Sequence, residues 1–198
     1  MESNLLVVIN TPWKLGNELL MYALKPIAYL YLRFIGVDIE QGYKFYGLPK
    51  IYRHRLSKIN IGKNYENRNF WSSNPLGINH PTILCTWGES AKIKIGHDVG
   101  ISGGSIVASR RIEIGNGTLI GANCTIIDTD FHPVDSRNRR YDKNNIKSSP
   151  VKIGANVFIG MNTTILKGAN IPDNTVVPAC SLVRRSTKFS KVYDNRKK

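Results

Sequence analysis

The run Ile153-Gly-Ala-Asn-Val-Phe-Ile159-Gly-Met-Asn-Thr-Thr-Ile165-Leu-Lys-Gly-Ala-Asn-Ile171-Pro-Asp-Asn-Thr-Val-Val177-Pro-Ala-Cys-Ser-Leu-Val183 returns an aliphatic residue at every sixth position. Helices repeat near 3.6 residues and flat strands near 2, so a sustained period of six fits neither. It fits short strands laid on the three sides of a prism, one hexad per side, each aliphatic residue pointing inward. The expected fold is therefore all-β, a parallel β-helix of hexapeptide repeats.

The pattern extends towards the N-terminus. Ile95 and Ile101 are six apart, Val107 follows at six, and after a one-residue slip Ile114, Ile120 and Ile126 resume the count. Four places after the aliphatic positions stand small or β-branched residues, among them Val99, Ser105, Thr118, Cys124, Val157, Thr163, Ala169, Thr175 and Ser181. Glycine commonly follows the aliphatic residue, as at Gly96, Gly115, Gly121, Gly154 and Gly160, where a tight corner tolerates no bulky side chain. These tracts hold about four to five turns of three hexads. The stretch from Ile39 to Ile61, with Ile51, Ile59 and Ile61 as inward residues, is expected to add one or two less regular turns at the open end.

A length of 198 residues with no Pro- or Ser-rich linker agrees with one core. Three segments are expected: an amphipathic helical segment over 1–36, the β-helix over 37–186 and a basic tail over 187–198. Cys85, Cys124 and Cys180 are odd in number and widely spaced, and read as small core residues in a reducing cytoplasm. The stretch Asn17 to Phe34 is rich in Leu, Tyr and Ile but contains Lys25, Pro26 and Arg33, too broken for a membrane span, and no small-residue cleavage site closes it. Two placements remain for such a helix: across the open end of the prism, or on a membrane surface.

Lys and Arg total 28 against 14 acids, a net charge of +14. Cations gather in Arg53 to Lys58, Arg137 to Lys147 and Arg184 to Lys198. Such a field attracts polyanions, whether anionic lipid or a phosphorylated cofactor. Nucleic acid is not expected as a partner, because a rigid prism offers no recognition helix and the basic tail has only Phe189 and Tyr193 as rings.

The count Ile114, Ile120, Ile126 predicts an inward or corner residue at 132, and that residue is His132. The hexads then stop and restart at Ile153, so one long loop is expected over about 133–150. A histidine at the root of a loop on a rigid coil suits a general base, with a fixed position and access for substrate. A surface histidine before a proline turn reads equally well from spacing alone.

The segment Asp128-Thr-Asp-Phe-His-Pro133, followed by the repeats from Pro150 to Val183, resembles the hexapeptide-repeat O-acetyltransferases. The likeness covers roughly Ile93 to Ser186 and takes in the maltose, galactoside and nodulation-factor enzymes. Ser72-Ser-Asn-Pro-Leu-Gly-Ile-Asn-His-Pro81 and the Leu-rich front end look more like the members that act on capsular or lipopolysaccharide sugars. The resemblance implies a left-handed coil, a homotrimer with acetyl-coenzyme A in the cleft between neighbouring prisms, a sugar or glycan hydroxyl as acceptor and His132 as general base. It implies Met161 as the backbone oxyanion donor, and Asp130 or Asp128 to orient the imidazole; either aspartate could equally cap a turn. Phe158 and Gly160 would border the pantetheine channel and Ala179 would meet its amides, although Pro178-Ala-Cys-Ser stands where Gly-Ala-Gly-Ser is commoner. Arg184, Arg185 and Lys188 would meet the adenosine phosphates. Ser102 and His80, with Asp128 and Arg140, are candidates for the acceptor.

Acyl transfer to an aminosugar or amino acid nitrogen would use the same histidine and stays open, as does a non-catalytic scaffold. A zinc prism of the γ carbonic anhydrase type needs three converging histidines, and His54, His80, His97 and His132 show no paired ligand spacing, so no metal is expected. The cofactor and reduced thiols point to the cytoplasm, with contact at the inner membrane face left open.

Overall fold

In a computed structural model of the chain, residues 10–185 and 187–189 are described. Residues 1–9, 186 and 190–198, which include the start of the expected helical segment and most of the expected basic tail, lie outside them. The hexads become strands of two to four residues that wind through six coils and stack into three parallel six-stranded sheets. The first side holds Asp38–Ile39, Lys58–Ile61, Lys92–Ile95, Arg111–Ile114, Val151–Ile153 and Asn170–Ile171. The second holds Lys44–Tyr46, Glu66–Arg68, Gly100–Ser102, Leu119–Ile120, Phe158–Ile159 and Val176–Val177. The third holds Lys50–Arg53, Ile83–Thr86, Ser105–Ala108, Thr125–Ile127, Thr164–Ile165 and Leu182–Val183. This is the parallel β-helix expected from the hexads, with the left-handed winding that the resemblance implied.

Register explains why the period is six. Ile61, Ile95, Ile114, Ile153 and Ile171 stack on the first side, and Ile101, Ile120, Ile159 and Val177 on the second. On the third, Ile51, Leu84, Ile106, Ile126, Ile165 and Val183 form the row. All are buried and together fill the prism. Three of the small residues four places on, Thr118, Cys124 and Thr163, donate hydrogen bonds to the next coil. Thr118 Oγ1 donates to the Gly154 carbonyl at 2.9 Å, Cys124 Sγ to Gly160 at 3.2 Å and Thr163 Oγ1 to Pro178 at 3.1 Å. Glycine is required at the corners by the stacking itself: a Cβ on Gly160 would lie 2.3 Å from the Ala179 nitrogen. The corners also turn through left-handed residues, Asn64, Asp98, Asn156 and Asn174 on the first edge and Asn123, Asn162 and Cys180 on the second. Asn and Asp tolerate that region because their short polar side chains bond locally.

Three expectations need correction. Val107 is not inward; Ile106 is, because Gly103 and Gly104, at φ 62° and 90°, tighten the corner and start the third-side strand one residue early. Position 132 is not inward, which leaves the corner that the count also allowed: the strand ends at Ile127, the buried Asp128 makes the turn, and His132 is exposed. Cys85 and Cys124 are buried, but Cys180 is an exposed corner residue at φ 57°, where coils four and five use Asn123 and Asn162.

The helix, Pro12–Ile35, is stopped by Gly36 in the left-handed conformation. Ala28 and Leu32 join the prism core, so the helix closes the end at coil one. Tyr46 donates its hydroxyl hydrogen to Glu18 at 2.6 Å, and Arg53 Nε donates to the Ile35 carbonyl at 2.7 Å, fixing the helix at both ends. Among the described residues no helix is long and apolar enough to cross a membrane.

Candidate functional site

The long loop leaves at the corner between the third side of coil four and the first side of coil five. Its base is closed by an antiparallel bridge, Thr129 to Ser148, with Asp130 N donating to Lys147 O at 3.1 Å and Ser149 N to Asp128 O at 2.9 Å. The free excursion therefore spans 131–146. It is ordered from within: Arg139 donates to the Pro133 and Val134 carbonyls, and Lys147 pairs with Asp135 at 2.7 Å. That bond holds the Asp135 carboxyl below its ordinary range and the Lys147 ammonium above it.

His132 stands at the root of this excursion. Its own N–H donates to the Asp130 carbonyl at 2.7 Å, and its imidazole has no hydrogen-bond partner among the described residues. The other three histidines are tied down at Nδ1. His97 accepts from Lys63 N at 2.9 Å, His54 accepts from Leu56 N at 3.3 Å and His80 meets the Pro81 carbonyl at 2.8 Å. Beside His132, Phe131, at φ 60°, sets its ring edge-on to Trp87, centroids 6.2 Å apart. Both rings are partly exposed and form an apolar wall at the same corner. Trp87 lay outside the hexad pattern and the motif, so nothing in the sequence drew attention to it.

The two aspartates of the motif do different work. Asp128 is fully buried, and its carboxylate accepts from the backbone N–H groups of Ser109, Arg110 and Arg111 at 2.6, 2.7 and 2.7 Å. It caps the corner of the preceding coil, so neither oxygen is left to orient an imidazole or hold an acceptor. Asp130 Oδ1 pairs with Lys167 at 2.5 Å, while Oδ2 is buried without a partner among the described residues. The carboxylate thus anchors the loop root to the corner of coil five instead of bonding to the imidazole. Lys167, two residues after Ile165, was not among the expected site residues.

The expected residues fall on two edges of the prism. On the edge between the third and first sides stand His132, Asp128 and Asp130, with Arg140 on the excursion 5.7 Å from the Tyr141 ring centroid. Arg184 and Arg185 end the last coil on this same edge, both exposed, and a Cβ on Gly168 of the coil below would lie 3.4 Å from Arg185 Cβ. Lys188 follows, also exposed. On the edge between the second and third sides stand Ser102, Gly160, Met161 and Ala179, with His80 beside Gly103. Met161 N donates to no acceptor among the described residues. Phe158, half-exposed, and Ser102 line one groove of 430 Å³ on the second side, with Glu66, Arg68, Asp98 and Leu119. Gly100 opens that groove, because its ladder neighbours Glu66 and Leu119, and Phe158 beyond Leu119, all carry side chains. About six residues of extended chain, on the order of 20 Å, separate the two edges across the third side. The imidazole and the Met161 amide therefore do not meet within one protomer. Among the described residues no cluster of His, Cys, Asp and Glu suits a metal ion.

No family model matches the chain. Galactoside O-acetyltransferase of Escherichia coli strain K12 is 37% identical over 81 residues, 41% of this chain and 38% of that protein. WbbJ of the same strain, named for lipopolysaccharide biosynthesis O-acetyl transfer, is 36% identical over 87 residues, 41% of this chain and 44% of that protein. The chain thus spans about two fifths of the length of these relatives. Among solved structures, a mutant of AntD, an N-acyltransferase from Bacillus cereus in complex with dTDP-4-amino-4,6-dideoxyglucose and coenzyme A, superposes with a TM-score of 0.51. That match covers 79% of this chain and 78% of the other at 19% identity, a likeness of fold.

Proposed function

The coil of this chain is related to those of hexapeptide-repeat acetyltransferases, and from that premise we propose that the protein is an acetyl-coenzyme A-dependent O-acetyltransferase acting on a sugar hydroxyl of a bacterial glycan or glycan precursor. The observation that carries the reading is His132: of the four histidines, its ring alone has no partner among the described residues, and it stands on a rigid corner at the mouth of an ordered loop. An alcohol is a poor nucleophile at neutral pH. The imidazole removes the hydroxyl proton as the oxygen attacks the thioester carbonyl; the tetrahedral oxyanion collapses, the C–S bond breaks, and the imidazolium returns the proton to the departing thiolate. A backbone N–H suits the oxyanion, and that of Met161 is free to serve.

Because His132 and Met161 lie on different edges, one active site needs both edges from different copies: the loop corner of one protomer facing the glycine-lined corner of the next. A three-fold assembly repeats that contact around a ring. Pantetheine would run past Phe158, Gly160 and Ala179, and the phosphates would meet Arg184, Arg185 and Lys188, whose exposed positive charge fits them. Thioester chemistry places the reaction where coenzyme A is found, in the cytoplasm.

The test is acetyl-coenzyme A turnover against candidate glycans, with the product analysed for ester or amide. We expect an ester, and His132→Ala to lower kcat by about 10²- to 10⁴-fold with little change in KM for acetyl-coenzyme A. Full activity in that variant would remove His132 as the base, and an amide product would favour transfer to an amino group.

A further inference from the structure

The helix Pro12–Ile35 buries one stripe and leaves the other unusually apolar. Met21, Ala28 and Leu32 face the protein, while Leu19, Tyr22, Ile27, Leu30 and Phe34 are 62%, 65%, 52%, 68% and 93% exposed. Most of these recur at steps of three, four or eight residues, so they share one side of the helix. Contiguous exposed apolar surface of this kind marks an interaction site. The only ionisable side chains of the Asp, Glu, Lys and Arg type on this helix are Lys14, Glu18, Lys25 and Arg33, and Glu18 is taken by the Tyr46 hydroxyl. The exposed cations Arg55 and Lys58 follow Arg53, which holds the end of the helix, and the whole chain carries +14.

We propose that this helix docks flat on an anionic lipid surface. Apolar residues sink to the acyl boundary, Trp13 and Tyr22 suit the headgroup level, and the flanking cations meet lipid phosphates. An interfacial helix usually needs a polar face opposite its apolar one; here the basic coil takes that place. The helix is not long and apolar enough to span the bilayer, so it lies on the surface. Basic charge beside an apolar stripe is what distinguishes lipid from a second copy of the chain, whose equal charge would repel it. The helix caps coil one, whereas His132 leaves from coil four, so docking stands apart from the proposed acetyl transfer.

The experiment is co-sedimentation of the full chain with phosphatidylcholine vesicles, with and without one third phosphatidylglycerol. Binding is expected to the anionic vesicles and to weaken severalfold between 0.1 and 0.5 M salt. The double variant Leu30→Glu and Phe34→Glu alters only exposed side chains, and is expected to bind at least tenfold more weakly with its thermal unfolding and oligomeric state unchanged. Lys14→Gln with Arg33→Gln, which leaves the apolar stripe intact, is expected to reduce binding to anionic vesicles only. Absence of anionic vesicle binding by the wild-type chain, or equal binding by the Glu double variant, overturns the proposal. So does a change of oligomeric state in the Glu variant with vesicle binding intact, which would make the stripe a contact between copies.

Discussion

Coils five and two build the same triangular layer by different means. In coil five, 18 residues separate Ile153 from its stacked successor Ile171, and every inward position is aliphatic. In coil two, 34 residues separate Ile61 from Ile95, the excursion 69–82 interrupts the path, and the inward position of the second side is Asn67. Asn67 is fully buried, in register with Ile101 above it. Its amide donates to Thr82 Oγ1 at 2.7 Å and its carbonyl oxygen accepts from Asn69 Nδ2 at 2.5 Å. Asn69 in turn donates to Gly47 O and accepts from Thr82 N, each at 2.8 Å. A stack of this kind is held by filling each inward position, and a bonded amide fills one as well as an isoleucine does, provided every polar atom is satisfied.

The largest effect expected is in the regular half. Ile159 is fully buried between Ile120 and Val177, so Ile159→Ala should cost about 2–5 kcal/mol by chemical denaturation. Its neighbour Phe158 points outward from the same strand, and Phe158→Ala should stay within roughly 0.5 kcal/mol. Equal losses at the two positions would mean that the alternation of faces does not govern stability here.

Asn67→Ile sharpens the contrast, because it restores the hexad that the sequence lacks. If periodicity alone held the stack, this change would stabilise it. We expect a loss of about 1–3 kcal/mol, since Asn69 Nδ2 and Thr82 Oγ1 would each lose a buried partner. A gain in stability would show that the amide network is dispensable and the period decisive.

The same contrast sets how much was legible. The rows through Ile120, Ile126, Ile153 and Val183 could be read from spacing because each turn there repeats one solution. Ile51, Ile59 and Ile61 were placed correctly as isolated isoleucines, but Asn67 and the excursion after it carry no period to read. The count lands on Val107, one residue past Ile106, because adjacent aliphatic residues leave the phase undecided, and only the paired glycines at 103 and 104 settle it. The Asn residues at the corners were a signal left unused; their recurrence at left-handed positions marks the turns as well as the glycines do. At the site, the prominence of His132 was visible in the broken hexads, whereas the bonds of Asp128 and Asp130 were not. Those partners come from Ser109 to Arg111 and from Lys167, whole coils away in sequence, and spacing along the chain does not encode which carboxylate faces which edge.

A smaller effect is expected at Cys124, whose thiol does for coil four what the Thr163 hydroxyl does for coil five. Burial pushes its pKa from 9.0 up to about 11, opposed in part by a backbone hydrogen bond. The neutral thiol is favoured in the folded state, so its contribution is intact below pH 9 and is lost as pH rises from there to about 11. Relative to Cys124→Thr, whose hydroxyl does not ionise in this range, the wild-type chain should lose on the order of 1–2 kcal/mol across that window in denaturation series. Parallel curves for the two proteins would show that the thiol ionises as readily folded as unfolded.

The smallest effect tests the rule that polar atoms in the irregular half must be satisfied. Tyr65 is 1% exposed, its ring packs edge-on against Phe45 with centroids 5.8 Å apart, and its hydroxyl has no partner among the described residues. It lies one coil from Asn67's inward neighbour Phe45, yet its situation is the reverse: a buried polar atom unpaired among the described residues. Desolvation of an unpaired hydroxyl opposes folding, while the ring itself contributes the packing. Tyr65→Phe keeps the ring and removes the orphan oxygen, so stability should be unchanged or rise by up to about 1 kcal/mol. A loss of more than about 1 kcal/mol would reveal a partner for that hydroxyl, such as a buried water, and would bring Tyr65 under the same rule as Asn67.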